Sequence, residues 1–179
     1  ATGAAQKATA AINQREGKGI RGSSDEDEEK SDDEKKEVLA KVLALAGLSE
    51  EQIEQSQGEI VDYGHKVTWK KRSMDSDAFF SIEKHVGALF IYLNTNHKAF
   101  ELLIGTLEEM EEEEMGEEEL RDRAAQASDA VKLLLSAWAR FEDESNGEEL
   151  SSIMRFRRDW GRISDQFLRA DSSAEDWTR

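Results

Sequence analysis

An apolar seam near the C-terminus limits most strongly what this chain can fold into. Leu120, Ala124, Ala127, Val131, Leu134, Trp138 and Phe141 recur in alternating steps of four and three residues. That spacing keeps one face of a helix apolar over roughly six turns, in the heptad manner by which helices pack on one another. Asn146-Gly147 interrupts the pattern. Leu150, Ile153, Phe156, Trp160, Ile163 and Phe167 then build a second seam in steps of three and four. Two long amphipathic helices joined by a short turn predict an antiparallel helical hairpin over 120–170. A large buried side chain contributes about 1.5–3 kcal/mol, so this hairpin is expected to carry much of the core. Proline is absent from the whole chain, leaving glycines and turn residues as the only breaks between helices.

Upstream, the periodicity changes several times. Residues 1–22 are Ala-rich, and Ala4, Ala8, Ala11 and Ile12 outline one face of a weak helix or tail. So short a helix is marginal in water unless it docks on something. An acidic linker over 23–32 lies within the charged run SSDEDEEKSDDEKKE. Ser31 with Glu34 and Ser49 with Gln52 have the spacing of capping boxes. They predict helices over 33–46 and 50–55, with Gly47 stopping the first. Alternating apolar and polar residues then predict strands over 66–72, 78–84 and 88–94, the last two joined as a hairpin through His85-Val86-Gly87. The third strand is apolar on both faces and is expected to lie centrally or to be covered on both sides. Asn96 is expected to cap a helix over 98–107 with Phe100, Leu103, Ile104 and Leu107 inward. Residues 108–119 carry nine glutamates, whose like charges should fray that helix into an acidic loop. Residues 171–179 complete the chain as a tail. The predicted fold class is α+β: a small antiparallel sheet of about three strands packed with helices, plus the helical hairpin.

Charge and composition narrow the function classes. The chain has 179 residues, 36% of them charged, and a net charge of −16. A field of that sign repels nucleic acid and anionic membrane, leaving only local basic patches where nucleic acid could bind. Cysteine is absent, which removes disulfides and thiolate metal sites. No stretch approaches the roughly 18 apolar residues of a membrane span, and residues 1–21 lack the apolar core of a signal peptide. A cytoplasmic location and no membrane partner are the expectation. The chain opens on Ala1, which fits a piece of a larger protein as well as removal of an N-terminal Met.

No catalytic constellation stands out. His65, His85 and His97 match no local metal box. The glutamates of 108–119 lack the loop pattern that wraps one calcium ion. Nucleophile-elbow, phosphate-loop and dinucleotide-binding motifs are also absent. The expectation is therefore a non-enzymatic chain without cofactor or metal. Two basic clusters remain as candidate interaction sites. Lys70, Lys71 and Arg72 follow Lys66 on the first strand, and Arg155, Arg157, Arg158 and Arg162 surround Trp160 on the last helix. Ordinary pairing with the abundant acids accounts for them first; the functional reading is a contact site for phosphate, nucleic acid or a carboxylate-rich partner.

The stretch DSDAFFSIEKHVGALFIYLNTNHKAFELL, Asp75 to Leu103, resembles a segment of bacterial GHKL-type ATPases. That superfamily includes gyrase, a heat-shock chaperone, histidine kinases and mismatch-repair proteins. LLLSAWARFEDE and RRDWGRISDQFL are similar to distal helices of its stand-alone members, so the resemblance covers about residues 66–170. Lys98 stands where such a segment usually has proline. The superfamily's ATP site is missing: Asp62-Tyr63-Gly64 supplies only D-x-G, with no glycine-rich lid after it. The resemblance thus implies the region downstream of an ATPase domain, with residues 1–22 as the end of, or exit from, that domain. The function it implies is a non-catalytic coupling or dimerisation module, with self-association or a protein partner. The rival expectation is an acidic adaptor that binds a basic protein.

Overall fold

The structure, a computed structural model, describes residues 2–22, 29–112 and 114–170. Most of the expected 23–32 linker and the whole 171–179 tail lie outside them. The helices are α1 (Thr2–Gly17), α2 (Asp32–Leu45), α3 (Glu50–Gln57), α4 (Thr106–Glu112), α5 (Glu117–Glu144) and α6 (Gly147–Arg169). The strands are β1 (Val67–Arg72), β2 (Phe80–His85) and β3 (Ala88–Asn94). Two π-helical segments, Gly58–Asp62 and Phe100–Gly105, extend α3 and precede α4. The fold is α+β, as expected.

The sheet has the order β1-β3-β2, so β3 is central. It is mixed rather than wholly antiparallel. The Leu89 amide donates to the Lys66 carbonyl and the Thr95 amide to that of Arg72. Both pairs have the same offset, so β1 and β3 run parallel. The hairpin β2–β3 supplies the antiparallel pair through a two-residue turn in which Val86 and Gly87 have φ of 48° and 82°. Left-handed conformation at both central residues matches the right-handed twist of the strands. For a β-branched valine it is strained, and burial of Val86 in the core holds it there.

The described residues divide into two compact units, those within 2–70, 82–92 and 162–170 in one and those within 71–81 and 93–161 in the other. The first has a closed apolar core. Leu39 and Leu43 of α2 meet Phe90 and Tyr92 of β3, with Ile60, Val86 and Ala88 beside them. Both expected capping boxes form, Ser31 with Glu34 and Ser49 with Gln52. Gly47 follows α2 with a φ of 83°, the left-handed stop that glycine takes most readily. Helix α1 is docked in this unit. Its buried residues are Ala5, Ala8, Thr9 and Ala11, whereas Ala4 is exposed. The face is rotated from the expected one because Thr9 belongs to it: its Oγ1 accepts the Lys66 amide at 2.9 Å. Lys66 Nζ reaches both carboxylate oxygens of Glu16 at 2.7 Å, and Arg15 Nη1 donates to Gln166 at 2.7 Å.

In the second unit the 98–107 helix is wound differently from the expectation. The π segment adds a residue to the turn, which shifts the inward face. Thr106 becomes buried and Leu107 turns outward. Thr106 Oγ1 donates to the Glu101 carbonyl and accepts from Gln126 Nε2 at 3.1 Å. Asn96 is not the cap: its side chain donates to Ser73 and Met74, and His97 Nδ1 accepts the Ala99 amide instead. Nor do the glutamates melt the helix. It continues to Glu112 and α5 starts at Glu117, so the expected 108–119 loop shrinks to a few residues. Lys71 pairs with Glu108, Arg123 with Glu109, and Arg121 with Glu117, which offsets the repulsion between like charges.

Candidate interaction surface

Helix α5 uses its apolar seam in two different ways. Its N-terminal half packs along the π segment and α4, where Ala127 and Ala130 are buried. Small side chains allow that close approach. The C-terminal half of the seam is not sealed. Val131 is 43% exposed, Trp138 40% and Phe141 48%. Helix α6 repeats the pattern, with Ile153 buried and Phe156 and Trp160 exposed by 56% and 67%. The expected antiparallel hairpin therefore does not close on itself. Each seam was read correctly as a helix face, but α5 meets the 100–112 segment where α6 was expected.

Between the two unsealed faces lies an open groove of about 1470 Å³. Leu134, Leu135, Trp138 and Ala139 line it from α5; Met154, Phe156, Trp160 and Gly161 line it from α6, and Phe80 adds a further ring. Trp138 and Phe141 meet edge to face at 6.2 Å between ring centroids. The Glu142 carboxylate links the two helices. Glu142 accepts from Trp138 Nε1 at 2.6 Å and from Arg157 Nε at 2.5 Å. Those two donors, Arg157 first, hold its pKa below the ordinary value. Arg155, with its guanidinium 5.4 Å from the Phe156 ring centroid, and Arg158 complete a basic rim.

The candidate residues therefore separate. Arg155, Arg157, Arg158 and Trp160 come together on the groove. Arg162 follows one residue after Gly161 and lies among the residues of the other unit. The β1 cluster is not a single patch, because alternate residues of a strand face opposite ways. Lys70 turns to Glu59 at 3.4 Å, whereas Lys71 turns to Glu108 at 2.6 Å and lies over the Phe100 ring. Arg72 gives its carbonyl to Thr95. Leu134, Leu135 and Met154, absent from the sequence-based candidates, carry much of the groove. The signal for the two leucines was the excess of apolar residues at 133–135 beyond what one seam needs.

The histidines stay apart from this surface. His85 Nε2 lies 3.1 Å from Glu83, and the His97 ring lies against Phe79. Among the described residues, no three His, Asp or Glu side chains converge as a metal ion would require, and no helix is long and apolar enough to cross a membrane. What the groove offers chemically is desolvation of a large apolar guest, with guanidinium groups at its edge for carboxylates. Comparison with protein-family models, curated proteins and solved structures gives no match for this chain.

Proposed function

We propose that this chain is a non-catalytic coupling module that works by presenting the α5–α6 groove to another protein chain. The observation that carries this reading is the exposure of Trp138, Phe156 and Trp160 where they line the groove between α5 and α6. Aromatic and arginine side chains clustered in a concavity are the usual makings of a binding hot spot. An exposed apolar groove of this kind marks a surface for a partner. The resemblance of residues 66–170 to GHKL-type proteins supplies a setting: a cytoplasmic bacterial ATPase whose nucleotide domain precedes this region and drives its movement against a partner. The cysteine-free composition fits that compartment.

The full-length reading frame and its ATPase turnover test the proposal. An ATP site is expected upstream of Ala1, and replacing Phe156 and Trp160 by serine should lower turnover while nucleotide affinity stays unchanged. Unaltered turnover would remove the coupling role. A reading frame without an ATP site would remove the ATPase setting and leave the groove as an association surface.

A further inference from the structure

Resting on that reading, the geometry points to the kind of chain the groove receives: we propose that it takes an amphipathic helix of another protein, one whose apolar face is flanked by carboxylates. The helical form of the guest follows from the walls. Its acidic margin follows from two arginines that no carboxylate of the described chain engages.

The walls come first. Leu134 and Trp138 on α5, and Phe156 and Trp160 on α6, each stand four residues apart and line the groove. Residues at that interval form ridges along a helix, and a third helix seats its own ridge between two such rows. An extended segment would instead bring backbone N–H and C=O groups against apolar walls, where they lack partners. A helix satisfies those groups internally. The volume agrees: a helix about 10 Å across fills 1470 Å³ over roughly 19 Å, or about twelve residues.

Backbone access comes second. Gly161 sits well inside α6 and lines the groove, and nothing lies within 4 Å of where its Cβ would be. Glycine is among the poorest helix formers. The room it leaves beside Trp160 admits a large apolar side chain from the guest.

Charge comes third and selects the partner. Glu142 is engaged by Arg157, and Asp143 and Glu144 by Arg140, so these groups offer nothing to a guest. Arg155 and Arg158 differ. Among the described residues neither has a carboxylate partner, and Arg155 only lies over the Phe156 ring. They stand three residues apart, neighbours on one side of α6, and both line the groove. The lining therefore holds three guanidinium groups against one carboxylate, in a chain whose net charge is −16. At physiological salt, acids more than about 8 Å away are largely screened, so a carboxylate at this rim senses the two arginines first. A planar guanidinium takes a carboxylate through two parallel hydrogen bonds, whereas a basic guest meets only repulsion there.

Fluorescence anisotropy with the whole chain tests the inference. The probes are two labelled peptides of about fourteen residues, long enough to span the groove as a helix. Each has leucine at helical spacing on one face, with either glutamate or lysine along its margins. The glutamate peptide is expected to bind about thirtyfold more tightly than its lysine counterpart, the discrimination two charge-assisted contacts supply. Arg155→Gln with Arg158→Gln should erase that preference. Both sites are exposed on α6, and an unchanged circular-dichroism spectrum excludes unfolding. Gly161→Leu replaces a poor helix former by a good one and should weaken both peptides about tenfold by filling the space the guest needs. Equal binding of the two peptides, or a preference that survives loss of both arginines, overturns the acidic occupant and leaves the groove as a partner surface. A single-stranded oligonucleotide that binds where neither peptide does assigns the arginines to phosphate and overturns it too. If none of the three binds, the inference falls, and the dye bis-ANS separates it from the reading beneath. Dye binding that Trp160→Glu abolishes keeps the groove as an association surface; no dye binding removes that surface as well.

Discussion

The α2–β3 core and the α5–α6 groove use apolar residues in opposite ways. In the first, Leu39, Leu43, Phe90 and Tyr92 are wholly buried against one another. In the second, rings as large as Trp138, Phe156 and Trp160 stand in contact with solvent. The difference cannot come from hydrophobicity, since the exposed residues are as apolar as the buried ones. It comes from what surrounds them: the strand-and-helix unit closes its core within one chain, while α5 and α6 keep a face open. Burial marks where this chain gains stability, and unsatisfied amphipathicity marks where it can meet something else.

Truncating one ring from each region is the strongest way to break that comparison. Phe90→Ala empties a fully enclosed site, and loss of transfer energy plus the cavity left behind is expected to cost about 3–5 kcal/mol. Trp160→Ala, at 67% exposure, should change the stability of the monomer by no more than about 0.5 kcal/mol. Urea unfolding at a concentration too dilute for association measures both. Similar losses at the two positions would mean that α6 is as integral to folding as β3.

Asn94 sharpens the comparison, because the second unit also has something wholly buried, and it is polar. At 0% exposure, Asn94 Nδ2 donates to the Ser76 and Ala78 carbonyls at 2.9 and 3.0 Å. Its Oδ1 accepts the amides of Met74 and Asn96, each at 3.1 Å. Two donors and two acceptor sites are all that an amide side chain has, so every one is used, and the 74–78 turn is held to the end of β3. Asn94→Leu leaves several backbone groups without partners. A loss of about 2–3 kcal/mol is expected in the same unfolding measurement, together with faster amide exchange over residues 73–78. An unchanged exchange pattern would show that the turn holds itself.

Much of the first unit was legible because its signals are local. A capping box needs only Ser31 and Glu34, and a two-residue hairpin only Val86 and Gly87. Central placement of β3 followed from its two apolar faces. Relations between distant segments were less legible. Periodicity shows that the Leu120–Phe141 face will meet something, but it does not say that the 100–112 segment covers one half and leaves the other open. The π turn at Phe100–Gly105 was hidden for a related reason. One extra residue in a turn shifts every later side chain, and hydropathy at 3.6 spacing still looks helical. The parallel pairing of β1 with β3 depends on where the chain returns, which alternation within a strand does not encode. Of the candidate site, Trp160 and three arginines lie on the groove, while Lys70 and Lys71 are drawn to glutamates that sequence alone could not assign to them.

The smallest expected effect concerns the polar margin of the closed unit, where Glu59 shows whether charge contributes to its stability. Burial acts to raise the Glu59 pKa, but hydrogen bonds from Thr68 and Gln55 and the nearby Lys70 ammonium outweigh it, so the pKa lies below its ordinary value of 4.5. Thr68 Oγ1 is 2.7 Å from the carboxylate, Gln55 Nε2 2.9 Å and Lys70 Nζ 3.4 Å. A depressed carboxylate pKa means that the folded state binds this proton less readily than the unfolded chain does. The contribution is therefore complete above the unfolded value and disappears as pH falls through the folded one. Many other acids titrate over the same range, so the useful quantity is the difference between wild type and Glu59→Gln. That difference should be largest at neutral pH and shrink as the solution is acidified below about pH 4. A difference independent of pH would mean that Glu59 acts through its hydrogen bonds alone, and that the closed unit owes its stability to its apolar core with no measurable help from this charge.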